Sequence, residues 1–156
     1  MKPKLSPIAA LQKLQRYCAY QERSHQEVRG KLLDLGIYGD TLEEIMAQLI
    51  ADNFLNEERY ARAYARGKFR MKQWGRRRIE QELQARKVSA YSIGKAMEEI
   101  PAAAYEATLL AILQKQKVKV AETDAFAQHH KIAQYAIRKG FEPELVWQVI
   151  QQQLRD

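Results

Sequence analysis

A chain of 156 residues with 46% apolar side chains is long enough to bury a core and too apolar to stay disordered. Its formal net charge of +7, from 26 basic and 19 acidic residues, suggests nucleic acid before a membrane surface or an acidic protein. The single cysteine, Cys18, excludes an intramolecular disulfide, and no stretch approaches the roughly 18 apolar residues of a membrane span. The opening MKPKLSPIAALQKLQ lacks the long apolar run and small-residue cleavage site of a secretory leader, so the expected location is the cytoplasm.

Strand signals are nearly absent, whereas helix punctuation recurs throughout. Ser6-Pro7 reads as N-cap and first helical residue of a helix through Leu11, Leu14 and Cys18 to about Tyr20, with Cys18 on its apolar face. Ser24 with Glu27 forms a capping box, and that helix stops at Leu35-Gly36, where glycine supplies a left-handed turn. Thr41 with Glu44 predicts a third helix through Ile45, Leu49 and Ile50. After the turn Asp52-Asn53-Phe54-Leu55, Asn56 caps a long helix from Glu57 to Lys72. A helix from Gly75 to Arg86 follows, then a short one capped by Ser89 or Ser92 that ends near Ile100 before Pro101. The last round runs from Ala102 to about Lys117, from Asp124 or Ala125 to Lys139, and from Pro143 to Leu154. KLLDLGI at 31–37, ELQARKV at 82–88 and YAIRKGF at 135–141 share a polar or basic run closing on an apolar residue, at offsets of 51 and 53. The expected fold is therefore all-α, with three tandem three-helix repeats at 1–55, 56–101 and 102–156 in an elongated, curved arrangement. Capped terminal units point to a monomer.

Charge is concentrated in the middle repeat, whose 12 basic and six acidic residues supply +6 of the net +7. Wound at about 100° per residue, Arg59, Arg62, Arg66 and Arg70 fall within a stripe about 80° wide. Tyr60, Tyr64 and Met71 cluster on a face assigned to the core, within about 40° of each other. Four like charges on one side repel, and an anionic partner would remove that cost. Lys68, Lys72, Arg76, Arg77 and Arg78 extend the bias, and the last three open a helix whose dipole disfavours cations at that end. Phosphate would compensate them. Trp74, beside Gly75 in this arginine-rich turn, is the aromatic residue best placed to stack on a base.

Asn56-Glu57-Glu58-Arg59-Tyr60-Ala61 together with Trp74-Gly75, Arg78-Ile79 and Glu82-Leu83 resembles the RecX family of recombination regulators. Ser24 to Leu33 and Gly36-Ile37 echo that family's opening helices more weakly. The resemblance implies tandem three-helix repeats and a non-enzymatic protein. It also implies inhibition of a RecA-type recombinase by lodging in the groove of its filament on DNA. The chain departs from the family pattern at Lys87, where glycine is usual. A non-glycine residue in the left-handed conformation costs on the order of 1 kcal/mol, so either the turn differs or that cost is accepted.

Catalysis has little support in the residues. His25, His129 and His130 have no Cys or carboxylate at metal-ligand spacing beside them, and no glycine-rich phosphate loop occurs. No cofactor or metal is expected. Two functions remain: a regulator contacting a recombinase filament and its single- or double-stranded DNA without sequence preference, and a stand-alone DNA binder of helix-turn-helix character. The long, almost purely arginine stripe lacks the Asn and Gln variety of a groove reader and favours the first. The expected contact set is Arg59, Arg62, Arg66, Lys68, Arg70, Lys72, Trp74, Arg76, Arg77 and Arg78. Alanine at both Arg62 and Arg66 is then expected to weaken DNA or filament binding while leaving the melting temperature nearly unchanged, as a binding titration beside a thermal melt would read.

Overall fold

The computed structural model describes residues 5–154. Among them are nine α-helices and no strand: α1 Pro7–Tyr20, α2 His25–Asp34, α3 Gly39–Ala51, α4 Glu57–Gly67, α5 Arg76–Ala85, α6 Ala90–Met97, α7 Ala102–Lys119, α8 Ala125–Arg138 and α9 Pro143–Gln153. Every substantial helix–helix contact falls within α1–α3, α4–α6 or α7–α9, giving three tandem three-helix units of the expected all-α class.

The helices begin where short polar side chains can take up free N–H groups. Ser6 Oγ accepts from Ala9 N–H at 3.2 Å, and Asn56 Oδ1 from Arg59 N–H at 2.8 Å. At α2 the capping box closes in both directions at 3.0 Å, Glu27 N–H to Ser24 Oγ and Ser24 N–H to Glu27 Oε1. The expected cap at Thr41 is not used. Helix α3 starts three residues earlier, after Tyr38, because Gly39 at φ 63° makes the turn and Asp40 supplies the first-turn carboxylate.

All three units end their second helix on one device. Ile37, Val88 and Phe141 donate their N–H groups to Leu32, Leu83 and Ala136 carbonyls at 2.9, 3.1 and 3.2 Å. Gly36, Lys87 and Gly140 donate to Leu33, Gln84 and Ile137 at 3.0, 2.9 and 2.9 Å. This is the paired bonding of a Schellman turn, and its pivot is left-handed each time, at φ 80°, 60° and 106°. The apolar residue that follows is buried in every unit. Lys87 therefore accepts the strained conformation, and the turn is the same one.

Helix α4 departs from uniform winding at its end. Its buried seam runs through Ala61, Ala65 and Phe69, a four-residue spacing that outpaces an α-helix. The chain adapts with a π-helical stretch at Lys68–Lys72, which puts more residues in each turn and keeps Phe69 on the seam. The same shift turns Met71 outward. It is 84% exposed, not part of the core face expected from steady winding, while Tyr60 is buried and Tyr64 packs at the edge.

The packing is not shared equally among the units. The first closes on a core of its own, including Leu14, Val28, Leu32, Leu49 and Cys18. The second and third share one continuous core running from Tyr60 through Ile79 and Leu83 to Tyr105, Phe141 and Val146. Their junction is a backbone-to-backbone contact. Gly75 N–H donates to Lys139 C=O at 2.8 Å and Arg77 N–H to Gly140 C=O at 3.0 Å. A Cβ on Gly75 would lie 2.2 Å from the Gly140 carbonyl carbon, and one on Gly140 would lie 2.4 Å from Arg78 Cβ.

Two substitutions separate turn strain from close approach. Lys87→Gly should stabilise the protein by up to about 1 kcal/mol, less the entropy glycine returns to the unfolded chain, seen as a modest rise in the denaturation midpoint. Gly140→Ala, which combines positive φ with a clash, should cost about 3 kcal/mol or more in the same measurement.

Candidate nucleic-acid interface

Two arginines of the stripe, Arg62 and Arg66, lie beside the end of α6 and are partly covered there, while Arg70 is exposed. Arg62 Nε is 3.0 Å from Glu58, and its terminal nitrogens reach Glu99 at 2.9 Å and Glu98 at 3.6 Å. Arg66 closes on the other oxygen of Glu99. Hydrogen bonds from Arg66 and then Arg62 hold the Glu99 carboxyl below its ordinary range. Arg59 turns to the first unit. Its Nε sits 2.6 Å from Glu22, and its terminal nitrogens bond Asn53 Oδ1 at 3.1 Å and the carbonyls of Asn53 and Phe54 at 3.1 and 3.2 Å. Apart from Glu58, one turn back on α4, the glutamates that meet these arginines arrive from about 33 to 37 positions away, by folding.

Arg76, the first of the three cations that open α5, is compensated in the same way. Glu142, the N-cap residue of α9, takes an ion pair from Arg76 at 3.2 Å and the hydroxyl hydrogen bond of buried Tyr105. Tyr105 oxygen in turn accepts Arg76 N–H at 2.9 Å, and the Arg76 guanidinium lies 3.8 Å over the Tyr105 ring. Burial first, and the bond to Glu142 second, push the Tyr105 hydroxyl far above the ordinary tyrosine range, so it stays a donor. The negative charge expected from a phosphate is thus supplied to Arg76 by Glu142, at the end of α5 where the dipole favours it.

The remaining expected residues keep their charge uncompensated. Among the described residues Lys68, Arg70, Lys72, Arg77 and Arg78 take part in no ion pair. The π-helical stretch and the left-handed Gln73 (φ 56°) carry the chain round so that Trp74 is clasped by two of them. Arg78 Cζ lies 4.2 Å and Lys68 Nζ 5.0 Å from the Trp74 ring centre. Lys139 Nζ donates to the Lys72 carbonyl at 3.1 Å, which brings the third unit's basic pair Arg138-Lys139 to this edge. A recess of about 350 Å³ there is lined by Arg77, Arg78, Gln81, Glu82, Ile137, Arg138 and Gly140. Arg138 and Lys139 were missed from the sequence. Their signal was the repeat itself, since YAIRKGF superimposes on the helix end of the basic unit.

The result is a cationic edge at the junction of the second and third units, suited to a phosphate backbone. Among the described residues no three His, Cys, Asp or Glu side chains are grouped to hold a metal, and no helix is long and apolar enough to cross a membrane.

Comparison with known proteins places these features. A family model for the second three-helix domain of RecX matches residues 56–97, and one for the third three-helix domain matches residues 104–150. The chain is 28% identical over 138 residues to "Regulatory protein RecX" of Prosthecochloris aestuarii, covering 88% of this chain and 89% of that protein. It is 25% identical over 140 residues to the protein of the same name from Bacillus cytotoxicus, covering 90% of this chain and 52% of the relative. The chain thus spans about half the length of the Bacillus relatives it matches. The crystal structure of RecX from Lactobacillus salivarius superimposes with a TM-score of 0.86 at 23% identity, covering 94% of this chain and 95% of that one. A second crystal structure, of a regulatory protein RecX, gives 0.84 at 19% identity over 94% of this chain and 72% of the other. At these identities the two structures establish the fold.

The ion pairs revise the expectation for the stripe. Alanine at Arg62 and Arg66 should now lower the melting temperature, because Glu98 and Glu99 lose their partners. Lys72→Glu with Arg77→Glu should leave the melt nearly unchanged and weaken binding to a single-stranded oligonucleotide about tenfold or more at low salt.

Proposed function

The chain belongs to the RecX family of regulatory proteins, and from that premise we propose that it restrains a RecA-type recombinase by binding the recombinase filament and its DNA. The observation that carries the DNA half is the set of cations without ion-pair partners, Lys68, Arg70, Lys72, Arg77 and Arg78, of which Lys68 and Arg78 lie against the Trp74 ring. The protein acts as a cytoplasmic monomer in recombination and repair, without enzymatic activity of its own. Its second and third units present the cationic edge to phosphate or to acidic recombinase side chains in the filament groove. Arg59, Arg62, Arg66 and Arg76 belong to the proposed contact set in a secondary way, since each would have to share its guanidinium with a carboxylate it already holds.

The edge suits a filament better than a sequence-reading helix. Its cations come from the π-helical stretch, the start of α5 and the end of α8, so they do not line up on one helix that could enter a major groove. Contacts of this kind position a backbone and leave bases unread.

Added substoichiometrically to a recombinase on single-stranded DNA, the protein should suppress DNA-dependent ATP hydrolysis and strand exchange. Bare-DNA binding should weaken steeply with salt, losing about one unit of slope for each phosphate contact removed. The deciding control holds the filament fixed and raises bare competitor DNA. Inhibition that persists supports filament recognition, whereas inhibition that disappears in proportion leaves only a stand-alone DNA binder.

A further inference from the structure

We propose that Glu22 is an internal stand-in for phosphate: it holds Arg59, and through Arg59 the α1–α2 end of the first unit, until a polyanion takes over the guanidinium. The proposal rests on the nucleic-acid reading above and adds a conformational consequence to it.

Three observations carry it. First, the first unit has a core separate from the one the other two share, and no substantial helix–helix contact crosses from it to the second unit. Second, among the described residues Arg59 supplies the hydrogen bonds and the ion pair that join the second unit to the first. Third, the seam between these units is flanked by openings. One of about 700 Å³ is lined by Gln21, Glu22, Gln26, Tyr60, Tyr64 and Arg86, and another of about 500 Å³ has His25, Arg29 and Leu33 facing Arg86 and Lys87.

The latch is reachable from solvent. The side chains of Arg59 and Glu22 are 38% and 32% exposed, and Glu22 sits in the α1–α2 connection rather than within a helix. Carboxylate and phosphate offer the guanidinium fork the same pairing, so one can replace the other. Bonds to Asn53 and Phe54 hold the guanidinium in place after Glu22 leaves. What is released is the α1–α2 end of the first unit, turning about the connection at Asn53, whose φ is 64°. Opening also widens access to Lys68 and Arg86, which flank the Tyr64 ring at 5.4 and 5.0 Å on the wall of the larger opening.

The test reads distance and affinity in the full chain. Dyes at Lys13→Cys and Gln152→Cys report the separation of first and third units by energy transfer. Native Cys18 stays in place, since it is buried and its thiol is pushed above the ordinary value by that burial. Glu22→Gln is compared with Glu44→Gln, an equal charge change at an exposed residue of the first unit. The expected result is a longer and broader separation in Glu22→Gln without any ligand, and in the parent chain on adding a single-stranded oligonucleotide, with Glu44→Gln resembling the parent. Glu22→Gln should also bind that oligonucleotide severalfold more tightly than Glu44→Gln. An unchanged separation in ligand-free Glu22→Gln overturns the latch, and equal affinities of the two variants overturn the displacement. Absence of oligonucleotide binding by all three proteins removes the nucleic-acid reading and the displacement with it, while the ligand-free separation still decides the latch.

Discussion

Backbone meets backbone at Gly75 and Gly140, and the arrangement of the charged surface depends on that contact. With no side chain between them, the start of α5 rests on the α8–α9 turn, and two peptide hydrogen bonds cross the junction. The approach lets the second and third units close on one core. It also brings Glu142 to the first turn of α5, where it answers both Arg76 and the unfavourable dipole. Trp74 and the basic residues of the two units then meet along one edge. Any side chain at either glycine would separate the units before it affected a helix.

The positive charge of the middle unit divides into two populations with different work. Arg59, Arg62, Arg66 and Arg76 are spent on holding elements together, each through a glutamate distant in sequence. Such pairs are individually modest when partly exposed, and their value lies in fixing how α6, the first unit and α9 sit against α4 and α5. Lys68, Arg70, Lys72, Arg77 and Arg78 contribute nothing comparable to the fold. A net charge of +6 in 46 residues is therefore mostly an expression of the second population.

What was legible in the sequence was what is encoded over three or four residues. Ser6, Ser24 with Glu27, Asn56 and Ser89 cap where short-range pattern placed them, and the three helix-end motifs superimpose as one turn, down to the strained Lys87. Thr41 misled because a capping pair is a pattern many residues satisfy, whereas Gly39 could start the helix by backbone conformation alone. Met71 misled because steady winding assumes a regular helix, and the π-helical stretch is demanded by the placement of Phe69 against the third unit's Tyr105. The fate of the arginines was not legible at all. Nothing local to Arg62 announces Glu99, and nothing local to Arg76 announces Glu142, since the first pairing exists only once the end of α6 has packed beside α4 and the second only once the second and third units have docked.

The unequal sharing of the core sets how the molecule comes apart. In a chain of repeats each unit borrows stability from its neighbours, and cooperativity extends only as far as packed apolar surface is continuous. Here that continuity joins α4 through α9 and stops at the first unit. Loss of structure in α1–α3 therefore leaves the larger body intact, while damage anywhere between Tyr60 and Leu154 is felt across both of its units. A single melting temperature would average two events, and amide protons of the first unit would exchange on a schedule of their own.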